Sequence, residues 1–191
     1  MGEPHEGEPL VREPHVGDDA GRLVDMIRGK VYSAGRTMIY GPPGVGKSTW
    51  ACKAGSLALD YEQGLDAIGP DREPGAATWD STLALVRDCI ATSGYTSLVI
   101  DTLDALEDQA TKYVCTTHSK KSLAAFGYGD GFELLVSAWR ELLAVLETAR
   151  GAGVEVILVA HHQVKSVADP VVGNHDKFIP QLSRRVWTVA E

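Results

Sequence analysis

The sequence predicts an α/β fold in which a parallel sheet is flanked by helices, and three features carry that prediction. Strand-length apolar runs at Thr37–Tyr40, Leu57–Tyr61, Leu98–Asp101 and Val154–Ala160 alternate with stretches of helical periodicity. Between the first run and the helix after it lies Gly41-Pro42-Pro43-Gly44-Val45-Gly46-Lys47-Ser48, which spells G-x-x-x-x-G-K-S. The third run, Leu98-Val99-Ile100-Asp101, is apolar and ends in an acid.

Taken in order, Leu23 to Arg28 has the spacing of a short helical turn, and Thr37–Tyr40 is the first strand. Lys47 to Ala54 is expected as a helix, stopped by Gly55. Leu57–Tyr61 is mostly apolar, as a strand covered on both faces must be. The Gly/Pro-rich stretch Gly69–Gly75 reads as a connection. Asp80 or Ser81 can cap a helix reaching about Thr92, with Leu83, Val86 and Ile90 on one face. A helix from near Thr102 carries Leu103, Leu106, Ala110 and Tyr113 at helical spacing. Glu133–Arg150 has the strongest pattern: Leu135, Trp139, Leu142, Leu143 and Leu146 form one stripe, and Gly151 ends it. Val154–Ala160 is the fourth strand, and the sequence shows no internal repeat.

Composition narrows the class. With 191 residues, 44% apolar and 23% charged, the chain has the makeup of a single globular domain with a substantial core. The formal charge of −8 is uneven: residues 1–21 hold six acids against Arg12, a net −5, which leaves −3 for the rest. That segment is rich in Gly and Pro and nearly lacks large apolar residues, so burial cannot offset its ordering entropy. Residues 1–20 are therefore expected as a disordered acidic tail and 21–191 as the folded domain. An acidic total argues against non-specific nucleic-acid binding by a monomer, though a basic groove can still be assembled by oligomers. No apolar run approaches the length of a bilayer span, and the N-terminus lacks a signal-peptide core, so a cytoplasmic protein is expected. Cys52, Cys89 and Cys115 are too widely spaced for a disulfide framework, and Cys115 with His118 lacks the second pair that a zinc site needs.

The motifs carry the chemistry. Gly41, Gly44 and Gly46 let the loop bend so that its amides, with Pro42, Pro43 and Val45 between them, converge on phosphate oxygens. Lys47 supplies a compact cation for the terminal phosphates, Ser48 offers a hydroxyl to Mg²⁺, and Thr49 completes the segment. Asp101, at a strand tip, can hold the same metal opposite Ser48. ATP and Mg²⁺ are the expected cofactors. At the tip of the second strand, Leu59-Asp60-Tyr61-Glu62 places Glu62 where a general base can polarise water; a solvated acidic loop is the other reading. At the fourth tip, Val159-Ala160-His161-His162-Gln163 presents polar groups, one of which can sense the γ-phosphate; a histidine that merely caps the strand is the other reading.

Together these residues resemble the RecA-like ATPase core. The resemblance implies that Glu62 is the catalytic base, Asp101 the metal-holding acid, and His161 the polar strand-four tip. More specifically, Tyr40-Gly41-Pro42-Pro43-Gly44, the segment Phe126–Phe132, and Ala160-His161 with Val164-Lys165 resemble bacteriophage ATP-binding proteins of the single-strand-annealing type. The implied function is Mg²⁺-dependent ATP hydrolysis in DNA recombination or annealing, with single-stranded DNA as partner and a homo-oligomer as the working form. A small-molecule kinase with the same loop and a non-catalytic nucleotide-binding module are the alternatives. A RecA-like core orders its strands 5-1-4-3-2, and its fifth strand would follow about Val186, so the slot beside the first strand is expected to be empty or filled by a neighbour.

Two further stretches are open. Gly127–Phe132 alternates glycine with Tyr128, Asp130 and Phe132, either a mobile base-stacking loop or a self-packed one. Ser166–Arg185, with Lys177, Arg184 and Arg185, lies where RecA-like proteins place a DNA-contacting loop; a solvated surface loop is the other reading. Because Lys47 is the only fixed side-chain cation at the proposed site, Arg184 or Arg185 is expected to complete the site of a neighbouring copy.

Overall fold

A computed structural model describes residues 34–91, 94–171 and 173–190, all within the compact unit Ser33–Glu191. The readings of residues 1–20 as a tail, of Leu23–Arg28 as a helical turn and of Thr92 as a helix end lie outside the described residues.

The sheet is built from β1 (Arg36–Tyr40), β2 (Ser56–Asp60), β3 (Asp71–Pro74), β4 (Ser97–Asp101) and β5 (Glu155–Ala160), in the order β1-β5-β4-β2-β3. Every pairing in it is parallel. The helices are α1 (Lys47–Ala51), α2 (Trp79–Ala91), α3 (Leu103–Thr117), α4 (Asp130–Gly151) and α5 (Arg184–Ala190). A separate antiparallel hairpin joins β6 (His162–Asp169) to β7 (Gly173–Pro180).

The two faces of the sheet are covered unequally. Leu59, Ile100 and Leu158 point into the larger core, which α2, α3, α4 and α5 close with Trp79, Leu106, Trp139 and Val186. Trp79 and Trp139 are both fully buried, with ring centroids 6.1 Å apart. The alternate residues Ala58, Val99, Ile157 and Val159 face α1 and the loop bearing Leu65. The covering layer on that face is one five-residue helix and a loop, so this core is the smaller of the two. β2 and β4 are buried along their whole length, which is why they read as unbroken apolar runs.

Several expectations change. The sheet has a fifth strand, but it is β3, taken in the sequence for a loop. Asp71-Arg72-Glu73-Pro74 is exposed at every position, and its polarity and terminal proline suit an edge. Around Val186 the chain forms α5, and the slot beside β1 was expected to be empty or filled by a neighbour. Among the described residues, no strand pairs with the outer side of β1. The first helix ends at Ala51 rather than Ala54.

The stretch Ser166–Arg185 is largely paired as the hairpin. It was missed because both its faces are polar, so no burial pattern marks the strands. Gly127–Phe132 is not one loop: a 3-10 turn runs over Leu123–Phe126, and α4 already begins at Asp130. Gly131 sits in that first turn because a Cβ there would lie 2.4 Å from the Leu123 carbonyl oxygen. Tyr128 alone is left fully exposed, while Phe126 meets His118 edge to face and Phe132 faces Arg185.

Parallel pairing puts the strand tips on one edge. Tyr40 lies beside Ala160, Val159 beside Asp101, and Asp101 beside Asp60. Every sequence motif that ends a strand therefore meets the others there.

Candidate functional site

From the tip of β1 the chain enters the loop Gly41–Gly46, with Gly41 buried and Pro42–Gly46 exposed. Gly44 and Gly46 have φ of 76° and 88°, the left-handed region where a side chain is strained, so the loop path needs glycine at both. The Lys47 ammonium donates to the carbonyl oxygens of Gly41 at 2.9 Å and Pro42 at 3.0 Å, which holds the cation over the loop.

Ser48 lies by the Asp101 side chain at the tip of β4, where its hydroxyl favours the charged carboxylate. Asp101 is 5% exposed. Burial pushes its carboxyl above the usual range. The Ser48 hydroxyl opposes that rise, the Glu62 and Asp60 charges add to it, and Lys47 lowers it. Its Oδ2 is buried without a hydrogen-bond partner, a costly state for an anionic oxygen. A hard divalent cation fits this position, since Ser48 and Asp101 offer oxygen ligands and one of those oxygens lacks a partner. Among the described residues no group of three or more His, Cys, Asp or Glu could hold a metal. Such an ion would take its remaining ligands from phosphate and water, the habit of Mg²⁺.

Asp60 has a different task. Its two carboxylate oxygens accept the backbone N–H groups of Gly64 and Leu65, each at 3.1 Å, and so fold the loop that carries Glu62. Glu62 Oε1 accepts the Thr102 hydroxyl at 2.7 Å and lies 3.7 Å from His161 Nδ1. His161 is anchored by Asp104, whose Oδ2 accepts its backbone N–H at 2.8 Å and contacts Nδ1 at 3.1 Å. The fold thus gathers Lys47, Ser48, Asp101, Glu62 and His161 at one sheet edge. Sequence reasoning missed Thr102 and Asp104, although an acid in the first turn of a helix that leaves a strand tip was a visible signal.

The arginines divide. Arg185 pairs with Glu133 and lies over the Phe132 ring at 5.3 Å, so its charge is used within its own chain. Arg184, at the start of α5, is exposed.

Residues 33–189 match the AAA domain family. The chain belongs to that family. An AAA domain is a P-loop ATPase domain, and the parallel five-stranded sheet with its glycine loop agrees with one. The chain is also similar to the SPbeta prophage-derived uncharacterized protein YorG of Bacillus subtilis (strain 168), at 25% identity over 169 residues. That match covers 78% of this AAA chain and 50% of YorG, so the chain spans about half the length of this curated relative. No helix among the described residues is long and apolar enough to cross a membrane.

Proposed function

We propose that this AAA domain is a Mg²⁺-dependent ATPase of RecA-like type that acts on single-stranded DNA in recombination or annealing, as a homo-oligomer in the cytoplasm of a bacterial host. The observation that carries the reading is the meeting of Lys47, Ser48, Asp101, Glu62 and His161 at one edge of the sheet. In this reading Gly41–Thr49 wraps the phosphates and Lys47 leaves its loop carbonyls to bind their charge. Ser48 and Asp101 hold Mg²⁺, which when bound neutralises charge on the phosphates. Glu62, oriented by Thr102, takes the proton of the attacking water, and His161 contacts the γ-phosphate.

Support for DNA comes from the hairpin. Lys165 and Lys177 are directly opposite in its register, an unfavourable pairing that an anion relieves. Val164 and Phe178, also opposite each other, are both more than half exposed, and a lone two-stranded hairpin needs a partner surface. The fully exposed Tyr128 adds a second stacking surface. Arg184 is the arginine available to a neighbouring copy. The test is ATP turnover by the full chain with and without single-stranded DNA. Hydrolysis stimulated by DNA supports the reading; phosphoryl transfer to a small acceptor, or binding without turnover, overturns it.

A further inference from the structure

We propose that Asp104 is a positioning residue of the hydrolytic site: it holds the Nδ1 proton of His161 and so keeps the imidazole off Glu62. The inference rests on the reading of Glu62 as general base. The two carboxylates approach the same ring nitrogen, with Asp104 Oδ2 at 3.1 Å and Glu62 Oε1 at 3.7 Å. A carboxylate oxygen can only accept, so the shorter contact places the proton on Nδ1 and directs it to Asp104.

The arrangement exceeds what the fold requires. Asp104 sits in the first turn of α3, where an acid favours the helix, and its bond to the His161 backbone N–H already ties α3 to the end of β5. Neither role involves the ring. Yet Oδ2 takes both donors while Oδ1 is buried without a partner. The carboxylate is thus spent on orienting one residue, His161, on the side facing Glu62.

The consequence for Glu62 is chemical. Its Oε1 is occupied by the Thr102 hydroxyl, and the other oxygen is left for water. An imidazole N–H shared with Glu62 would occupy the base and lower its basicity. Both carboxylates lie within 4 Å of the same nitrogen, and a charged acceptor outcompetes a neutral one. Asp104→Asn keeps the size and one acceptor oxygen but removes the charge, so the ring proton is expected to move to Glu62.

The experiment uses the full chain in two ways. Nitrogen-15 NMR of the histidine rings, with His161→Gln to assign the signal, is expected to show a protonated, hydrogen-bonded Nδ1 in the unmodified chain. Steady-state ATP hydrolysis by Asp104→Asn is expected to show kcat reduced about tenfold or more, with KM for ATP within about twofold and the His161 ring signal changed. A proton on Nε2 alone in the unmodified chain overturns the proposal, independently of any variant's folding. So does a folded Asp104→Asn with unchanged kcat. If the unmodified chain hydrolyses no ATP while Nδ1 carries its proton, the reading of Glu62 as base fails and takes this proposal with it.

Discussion

Replacing Asp101 with asparagine is expected to reverse the order of two stability measurements. In the absence of nucleotide, the Asp101 carboxylate is a liability: it is 5% exposed, and its Oδ2 lacks a partner. An unsatisfied buried group costs about 1–3 kcal/mol, more when charged. Removing the charge is expected to recover roughly 1 kcal/mol, or about 2–4 °C for a chain of this size. Mg·ATP at about a hundredfold excess over Kd stabilises a binding-competent chain by about 2.7 kcal/mol. The original chain should therefore gain roughly 5–10 °C from Mg·ATP, whereas Asp101→Asn, short of a metal ligand, should gain little.

The deficit also has a pH signature. The folded pKa of Asp101 is raised above 3.8, so the folded chain binds this proton more readily than the unfolded one. The cost is full above the raised value and fades as pH falls through it, disappearing below about 3.8. The gap between the two proteins without nucleotide should accordingly close in acid. Thermal unfolding with and without Mg·ATP across that range is the assay. If Asp101→Asn is the less stable protein at neutral pH without nucleotide, Asp101 is a satisfied structural carboxylate and the argument for a cation there is refuted.

Three other outcomes are expected. Lys47→Ala, which gives up only two bonds to loop carbonyls, should unfold within about 1 kcal/mol of the original yet show no binding of ATP by calorimetry. Glu62→Gln should bind Mg·ATP normally but hydrolyse it about 10²–10⁴-fold more slowly in a phosphate-release assay; normal turnover would remove Glu62 from the mechanism. Arg185 is engaged with Glu133, so a shared site should draw on Arg184: mixing inactive Lys47→Ala with Arg184→Ala should restore part of the ATPase. Full activity from a protein that sediments as a monomer would rule that out.

The sequence by itself determined the parts whose signal is local. The glycine loop is spelled by residues that need left-handed backbone and a cation within eight positions of each other. Central strands β2, β4 and β5 announced themselves because strands covered on both faces must be apolar throughout. Asp101, Glu62 and His161 were legible because each directly follows or ends such a run.

Tertiary structure decided what depends on distant partners. Asp60 and Glu62 look alike in the sequence, but backbone N–H groups claim Asp60 for the turn, while Glu62 meets Thr102 across the sheet edge. Asp104 reads as an ordinary acid at a helix start until β5 brings His161 against it. Strand β3 and the β6–β7 hairpin carry little apolar periodicity because solvent reaches them, so only backbone pairing reveals them. Arg185 was a free cation on paper; in the fold it pairs with Glu133 and lies over the Phe132 ring. In each case the deciding energy comes from a residue far along the chain, and no local pattern encodes it.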